Sequence, residues 1–276
     1  YRPAFSPDGG WIAFTSDRES AGALEHTGSR FAPLQKTQLY VMRADGSEVR
    51  RMTQGDTTVG GATWSPDGTA IAFYEAAAEA WLIHGRTFPS LPVVSQIARV
   101  DLATGARTPL TAGPGRKLTP QWLSDGRIAY ARSDAEERPD QGHRRTDYWC
   151  ERIRYTDGGD GPKGTFGSVH WSGDGRRMVF HRAIEERPAP LVKAFSPDPQ
   201  FSLVRTGAFP SFSRDGRRIV DTDSGFRVGE SVYSSPQTKL YVMNVDGSQR
   251  RVVFADDKAP ALGPVWSPAG DRIAFE

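Results

Sequence analysis

Asp8, Asp67, Asp125, Asp174 and Asp215 each precede a glycine in five copies of one short phrase. Five carboxylates brought together would suit acid–base chemistry. Their repetition argues instead for a shared structural cause, because an Asp in a tight turn accepts hydrogen bonds from nearby backbone N–H groups. A second set lies between the copies. Trp81, His84, Arg86 and Phe88 sit close together, as do His143, Arg144, Arg145 and Asp147 ahead of Tyr148-Trp149-Cys150. That mixture suits a polar and aromatic rim gripping a ligand or a protein partner. The plainer alternative is that Trp81 and Trp149 pin loops to a core while the Arg and His side chains stay solvated. A third set is the residue just before the repeated aromatic: Ala4, Thr63, Gln121, His170, Ser211 and Val265. Thr63, Gln121 and Ser211 can hold water or a polar ligand, and His170 reads as a hydrogen-bonded wall residue. One histidine falls short of the about three imidazoles or carboxylates a transition metal takes, so neither metal nor cofactor is expected.

Other motifs point away from catalysis. Asp157-Gly158-Gly159-Asp160-Gly161 lacks the spaced ligands and closing Glu of a calcium loop. The sequence has no Gly-x-Ser-x-Gly nucleophile elbow, and no glycine-rich phosphate loop leads from a strand into a helix. No catalytic residue is assigned.

The elements that must position these groups follow from composition and repeats. The 276 residues are 37% hydrophobic and 25% charged, with 29 Gly and 20 Pro, a turn-rich balance that favours an all-β chain. A net charge of +2 without a basic stripe argues against nucleic acid. No apolar run approaches the ~18 residues of a membrane span. The single cysteine, Cys150, excludes an internal disulfide and a Cys-clustered zinc site, and is compatible with an exported or a cytosolic protein. The chain opens at Tyr1 without an initiator Met, which reads as a start downstream of a removed or omitted segment.

One unit recurs six times: Phe5-Ser6-Pro7-Asp8-Gly9, Trp64-Ser65-Pro66-Asp67-Gly68, Trp122-Leu123-Ser124-Asp125-Gly126, Trp171-Ser172-Gly173-Asp174-Gly175, Phe212-Ser213-Arg214-Asp215-Gly216 and Trp266-Ser267-Pro268-Ala269-Gly270. An alternating apolar pair follows each, from Ile12/Phe14 to Ile273/Phe275, the period of a strand with one buried face. The fifth copy departs, with Asp221 where an aromatic belongs. A second hairpin follows the best copies, as in Leu39-Tyr40-Val41-Met42 before Asp45-Gly46-Ser47 and Leu240-Tyr241-Val242-Met243 before Asp246-Gly247-Ser248. Four strands per roughly 40–60 residues is the blade pattern of a β-propeller. The expectation is an all-β, six-bladed propeller of four-stranded antiparallel blades forming a single domain over 1–276. Its blades fall at 1–58, 59–116, 117–166, 167–206, 207–258 and 259–276. The last is incomplete within the chain, which implies a fragment or a ring closed by a short blade.

The Trp/Phe-Ser-Pro-Asp-Gly turn, the Ile-Ala-Phe strand and Leu-Tyr-Val-Met-x-x-Asp-Gly-Ser resemble the WD-repeat-like unit of TolB-type propellers. The same unit occurs in the propellers of prolyl oligopeptidase-type peptidases and tricorn protease, and beside amidohydrolase domains. The resemblance covers essentially the whole chain and implies a non-enzymatic module that binds a protein, peptide or other ligand in the bacterial envelope, periplasmic or otherwise exported. The alternative it implies is an accessory, substrate-gating propeller of a larger hydrolase whose catalytic domain lies outside the chain. Strand order puts the long segments Ser16–Thr37, Glu75–Ser95, Ser133–Asp147 and Thr222–Thr238 on one face and the short Asp-Gly turns on the other. Long loops in a compact domain are more often functional or disordered than idle, and the expected binding face is the loop-rich one.

Overall fold

The computed structural model describes residues 3–19, 37–77, 94–133, 150–173, 175, 177–182, 191–193, 203–205, 208–222, 238–256 and 261–275. Every element in them is a strand. Each repeat opens with an inner strand, turns at the glycine-ended phrase and returns antiparallel. β1 (Ala4–Phe5), β2 (Trp11–Ser16), β3 (Gln38–Arg43) and β4 (Arg50–Arg51) form one four-stranded sheet. β5 (Thr57–Trp64), β6 (Ala70–Ala77), β7 (Ser95–Asp101) and β8 (Arg107–Pro109) form the second.

The chain then departs from the expected pattern. β9 (Arg116–Trp122), β10 (Ile128–Ser133), β11 (Cys150–Tyr155), β12 (Asp160–Trp171), β13 (Met178–Arg182), β14 (Leu191–Lys193) and β15 (Leu203–Arg205) make a single seven-stranded sheet. β16 (Ala208–Phe212), β17 (Arg218–Thr222), β18 (Thr238–Asn244) and β19 (Arg251–Asp256) give another four-stranded sheet, and β20 (Val265–Trp266) pairs only with β21 (Ile273–Ala274). The fold is an all-β propeller, but six four-stranded blades are not what forms. Among the described residues, four sheets have four or more strands and a fifth has two. The cause is β12. It runs unbroken for 12 residues, pairing with β11 from Asp160 to Phe166 and with β13 from Gly167 to Trp171. The expected boundary between residues 166 and 167 falls inside this strand, so two repeats share one sheet.

The inner strands nevertheless follow one another around a circuit. β1 abuts β5, β5 abuts β9, β9 abuts β12, β12 abuts β16, β16 abuts β20, and β20 returns to β1. The core lies in slabs between successive sheets. Leu39 and Val41 pack with Val59, Trp64, Ile71 and Phe73, Ile97 with Ile128 and Tyr130, and Val179 with Phe212, Ile219 and Met243. Period two predicts one buried face per strand, yet Ile71, Ala72 and Phe73 are all fully buried. A neighbouring sheet covers each side, so the alternation records large against small side chains rather than inside against outside.

The turns are held by their own polar residues. Ser6 Oγ donates to Asp8 Oδ1, which also accepts from Gly10 N–H. Ser65 with Asp67 and Ser213 with Asp215 repeat the arrangement. These bonds favour the ionised form, and Asp67 is lowered to about 2, first by the Ser65 hydroxyl. In the third copy Arg127 takes the serine's place on Asp125. The four carboxylates are therefore turn caps, each bound within its own turn; Asp174 lies outside the described residues.

Candidate functional site

A register shift just before the aromatic shapes four of the inner strands, β5, β9, β12 and β16. In β5, Gly60 pairs with Tyr74 and Thr63 with Ala72, leaving Gly61 and Ala62 opposite the single residue Phe73. In β9, Thr119 and Pro120 stand opposite Tyr130. In β16, Phe209 and Pro210 stand opposite Asp221. Two residues against one is a β-bulge. Its first residue is left-handed, with φ of 64° at Gly61, 48° at Thr119 and 50° at Phe209, and Gly263 ahead of β20 has 58°. Proline stands two residues before the aromatic at Pro3, Pro120, Pro210 and Pro264. Proline inside a strand is confined to an edge or a bulge, so this signal was present in the sequence and went unread there.

Each bulge delivers the next residue to a central cavity of about 390 Å³ lined by the inner strands of all six repeats. Thr63, Gln121, His170 and Ser211 all line it, with Ala4 and Val265. Three of these side chains tie one inner strand to the next. Trp122 N–H donates to Thr63 Oγ1 at 3.2 Å. Trp171 N–H donates to Gln121 Oε1 at 2.7 Å, and Gln121 Nε2 donates back to the Trp171 carbonyl at 3.2 Å. Phe212 N–H donates to His170 Nδ1 at 3.3 Å, and His170 Nε2 lies 3.3 Å from Ser211 Oγ. In the first repeat Ala4 has no side-chain acceptor, and Trp64 Nε1 donates to its carbonyl at 2.9 Å.

Enclosure of the His170 imidazole holds its pKa down at about 4, so the ring is neutral near pH 7. With Nδ1 accepting from Phe212, its proton sits on Nε2, directed at Ser211. His170 is thus a hydrogen-bonded wall residue. The walls around these ties are apolar, built from Trp64, Trp122, Trp171, Trp266 and the prolines. Two polar atoms of lining residues, Thr119 Oγ1 and Trp266 Nε1, are enclosed and, among the described residues, have no hydrogen-bond partner. At the turn side the lining reaches Pro7, Pro66, Ser124, Gly173, Arg214 and Pro268.

Sequence reasoning missed the tryptophan walls, Thr119 and Arg214. Trp81, His84, Arg86, Phe88, His143, Arg144 and Arg145 lie outside the described residues, as does most of each long segment expected to form the binding face. Among the described residues no group of three or more His, Cys, Asp or Glu is placed to hold a metal ion, and no helix is long and apolar enough to cross a membrane.

Comparison with known proteins defines the class as an all-β propeller. No family model matches the chain. A solved TolB from Acinetobacter baumannii superposes with a TM-score of 0.62 at 18% identity, covering 97% of this chain and 57% of that one. An oligogalacturonate lyase in complex with manganese matches at 0.62 and 17% identity, covering the whole of this chain and 72% of the other. By sequence, 69 residues are 39% identical to an uncharacterized peptidase, YuxL, of Bacillus subtilis strain 168, a stretch that is 25% of this chain and 8% of that protein. The chain therefore spans a small part of the curated relative and a little over half of the TolB chain.

Proposed function

We propose that this propeller is a binding module whose central cavity seats a short extended peptide or a similar ligand. The observation behind the reading is the cavity of about 390 Å³ lined by the inner strands of all six repeats, which sets tryptophan and proline surfaces beside the polar side chains of Thr63, Gln121 and Ser211. An occupant lying against the rings buries apolar surface there. The resemblance to TolB-type propellers supports a protein or peptide as partner and an exported, periplasmic setting. The Trp81 and His143 clusters remain assigned to the same role at the loop-rich face, within one domain over the whole chain.

The lyase's manganese does not suit this cavity. Among the described lining residues His170 is the one imidazole, both its ring nitrogens are engaged within the wall, and no Asp or Glu joins it. No metal-dependent step is assigned.

The cavity tryptophans allow a direct test by fluorescence titration with a panel of short peptides. Saturable changes are expected, and Val265→Phe, which narrows the cavity, should weaken them. Unaltered binding by the narrowed variant moves the site elsewhere, and no saturable change with any peptide ends the proposal. The peptidase match favours a second reading, an accessory propeller of a larger hydrolase. The coding sequence on either side of residues 1–276 tests it, since that reading requires a catalytic domain there.

A further inference from the structure

We propose that the turn-side end of the cavity binds the carboxylate terminus of an extended peptide, with Arg214 as the anion-binding residue. The proposal rests on the peptide-binding reading above and adds the direction and chemistry of the ligand. Among the described residues of the cavity lining, Arg214 is the sole formally charged side chain, with no Asp, Glu or Lys beside it. The lining's one imidazole is neutral near pH 7.

Arg214 occupies the turn position held in the other copies by Pro7, Pro66, Ser124, Gly173 and Pro268. Proline pre-sets the backbone angle there, so the fifth repeat gives up a favourable turn residue for a charge its turn does not need. The side chain is exposed, yet it reaches across the cavity end from the fifth repeat to the first, where Nη1 donates to the Pro7 carbonyl at 2.7 Å. Among the described residues it forms no ion pair. The neighbouring carboxylates of Asp8 and Asp215 are bound back into their own turns by Ser6 and Ser213. A planar guanidinium held over an apolar opening presents paired N–H groups that match the two oxygens of a carboxylate. The proline and tryptophan walls behind it suit the extended stem that would carry one.

The test uses one peptide, Ala-Pro-Leu-Phe, as the free acid and as the C-terminal amide, titrated against wild type, Arg214→Gln and Arg214→Lys. The acid should bind wild type roughly tenfold more tightly than the amide. The preference should vanish in Arg214→Gln and partly return in Arg214→Lys, which keeps the charge without the fork. Thermal melts of the variants check that the fold is kept. Equal binding of acid and amide by wild type, or a preference that persists in Arg214→Gln, overturns the Arg214 assignment and leaves the cavity reading standing. Binding of neither form overturns both.

Discussion

The sheets β5–β8 and β16–β19 share strand order, a Ser–Asp capped turn and a bulge in the inner strand, yet their interiors differ in kind. Opposite the bulge in the first stands Phe73, fully buried. In the second it is Asp221, also fully buried, with Arg250 Nη2 at 3.6 Å and the Arg250 guanidinium 3.5 Å above the Tyr241 ring. The aromatic has not been lost from the fifth repeat. Phe209 occupies the left-handed bulge position that Gly61 holds in the second, and it lines the cavity. Backbone devices, the capped turn and the bulge, therefore fix the shape of a repeat. The slab between sheets accepts either a hydrophobic plug or an ion pair so long as the space is filled and the charges meet.

If that division is right, the apolar repeat is the more expensive to damage. Phe73→Ala should lose about 3–5 kcal/mol, the transfer free energy of the ring plus the cavity it leaves, read from denaturant unfolding. Next comes the tie into the fifth repeat, His170 to Phe212, which titrates where the tie into the second, Ala4 to Trp64, does not. The folded His170 sits at about 4 against an ordinary 6.5, so the unfolded chain takes up the proton first as pH falls. The stability this ring contributes is complete above pH 6.5 and is lost on the way down to 4, about 3 kcal/mol in all. Melting curves of wild type should fall more steeply through that window than those of His170→Gln, whose remaining slope near pH 4 comes from the turn-capping aspartates. Arg250→Leu follows, with an expected loss of about 2 kcal/mol. This is less than for a fully enclosed pair because Arg250 is half-exposed. A larger loss in Arg250→Leu than in Phe73→Ala would reverse the comparison.

Much of the repeat was legible because its signals are local. Ser6, Asp8 and Gly9 announce a turn by their own side chains and backbone freedom, and Ile71-Ala72-Phe73 announces a strand. The sheet count was not legible, because Gly161-Pro162-Lys163-Gly164-Thr165-Phe166-Gly167 reads as a loop yet forms the middle of β12. Pairing on both flanks, a nonlocal condition, holds that stretch extended. The positions before each aromatic line the cavity, but their use in tying neighbouring strands depends on ring geometry that no short window contains. Arg214 was invisible for the same reason. In sequence it is a solvated turn residue, and only closure of the circuit brings it to Pro7, at the far end of the chain.

The smallest effects test whether the bulge itself is the shared device. Gly61 and Thr119 hold the same left-handed conformation in adjacent repeats, at φ of 64° and 48°. A Cβ at Gly61 would lie 3.2 Å from Tyr74 Cδ1 and 3.3 Å from Pro120 Cδ, in a conformation L-residues avoid. Gly61→Ala should therefore cost about 1–2 kcal/mol. Thr119→Gly runs the other way: it relieves the strain of a β-branched residue at positive φ and removes a buried hydroxyl without a partner. Against this, the unfolded chain gains freedom worth about 0.4–1 kcal/mol, so the variant should be no less stable than wild type. A loss at Thr119 as large as that at Gly61 would show that the threonine side chain, rather than the backbone bulge, holds the third repeat's inner strand in place.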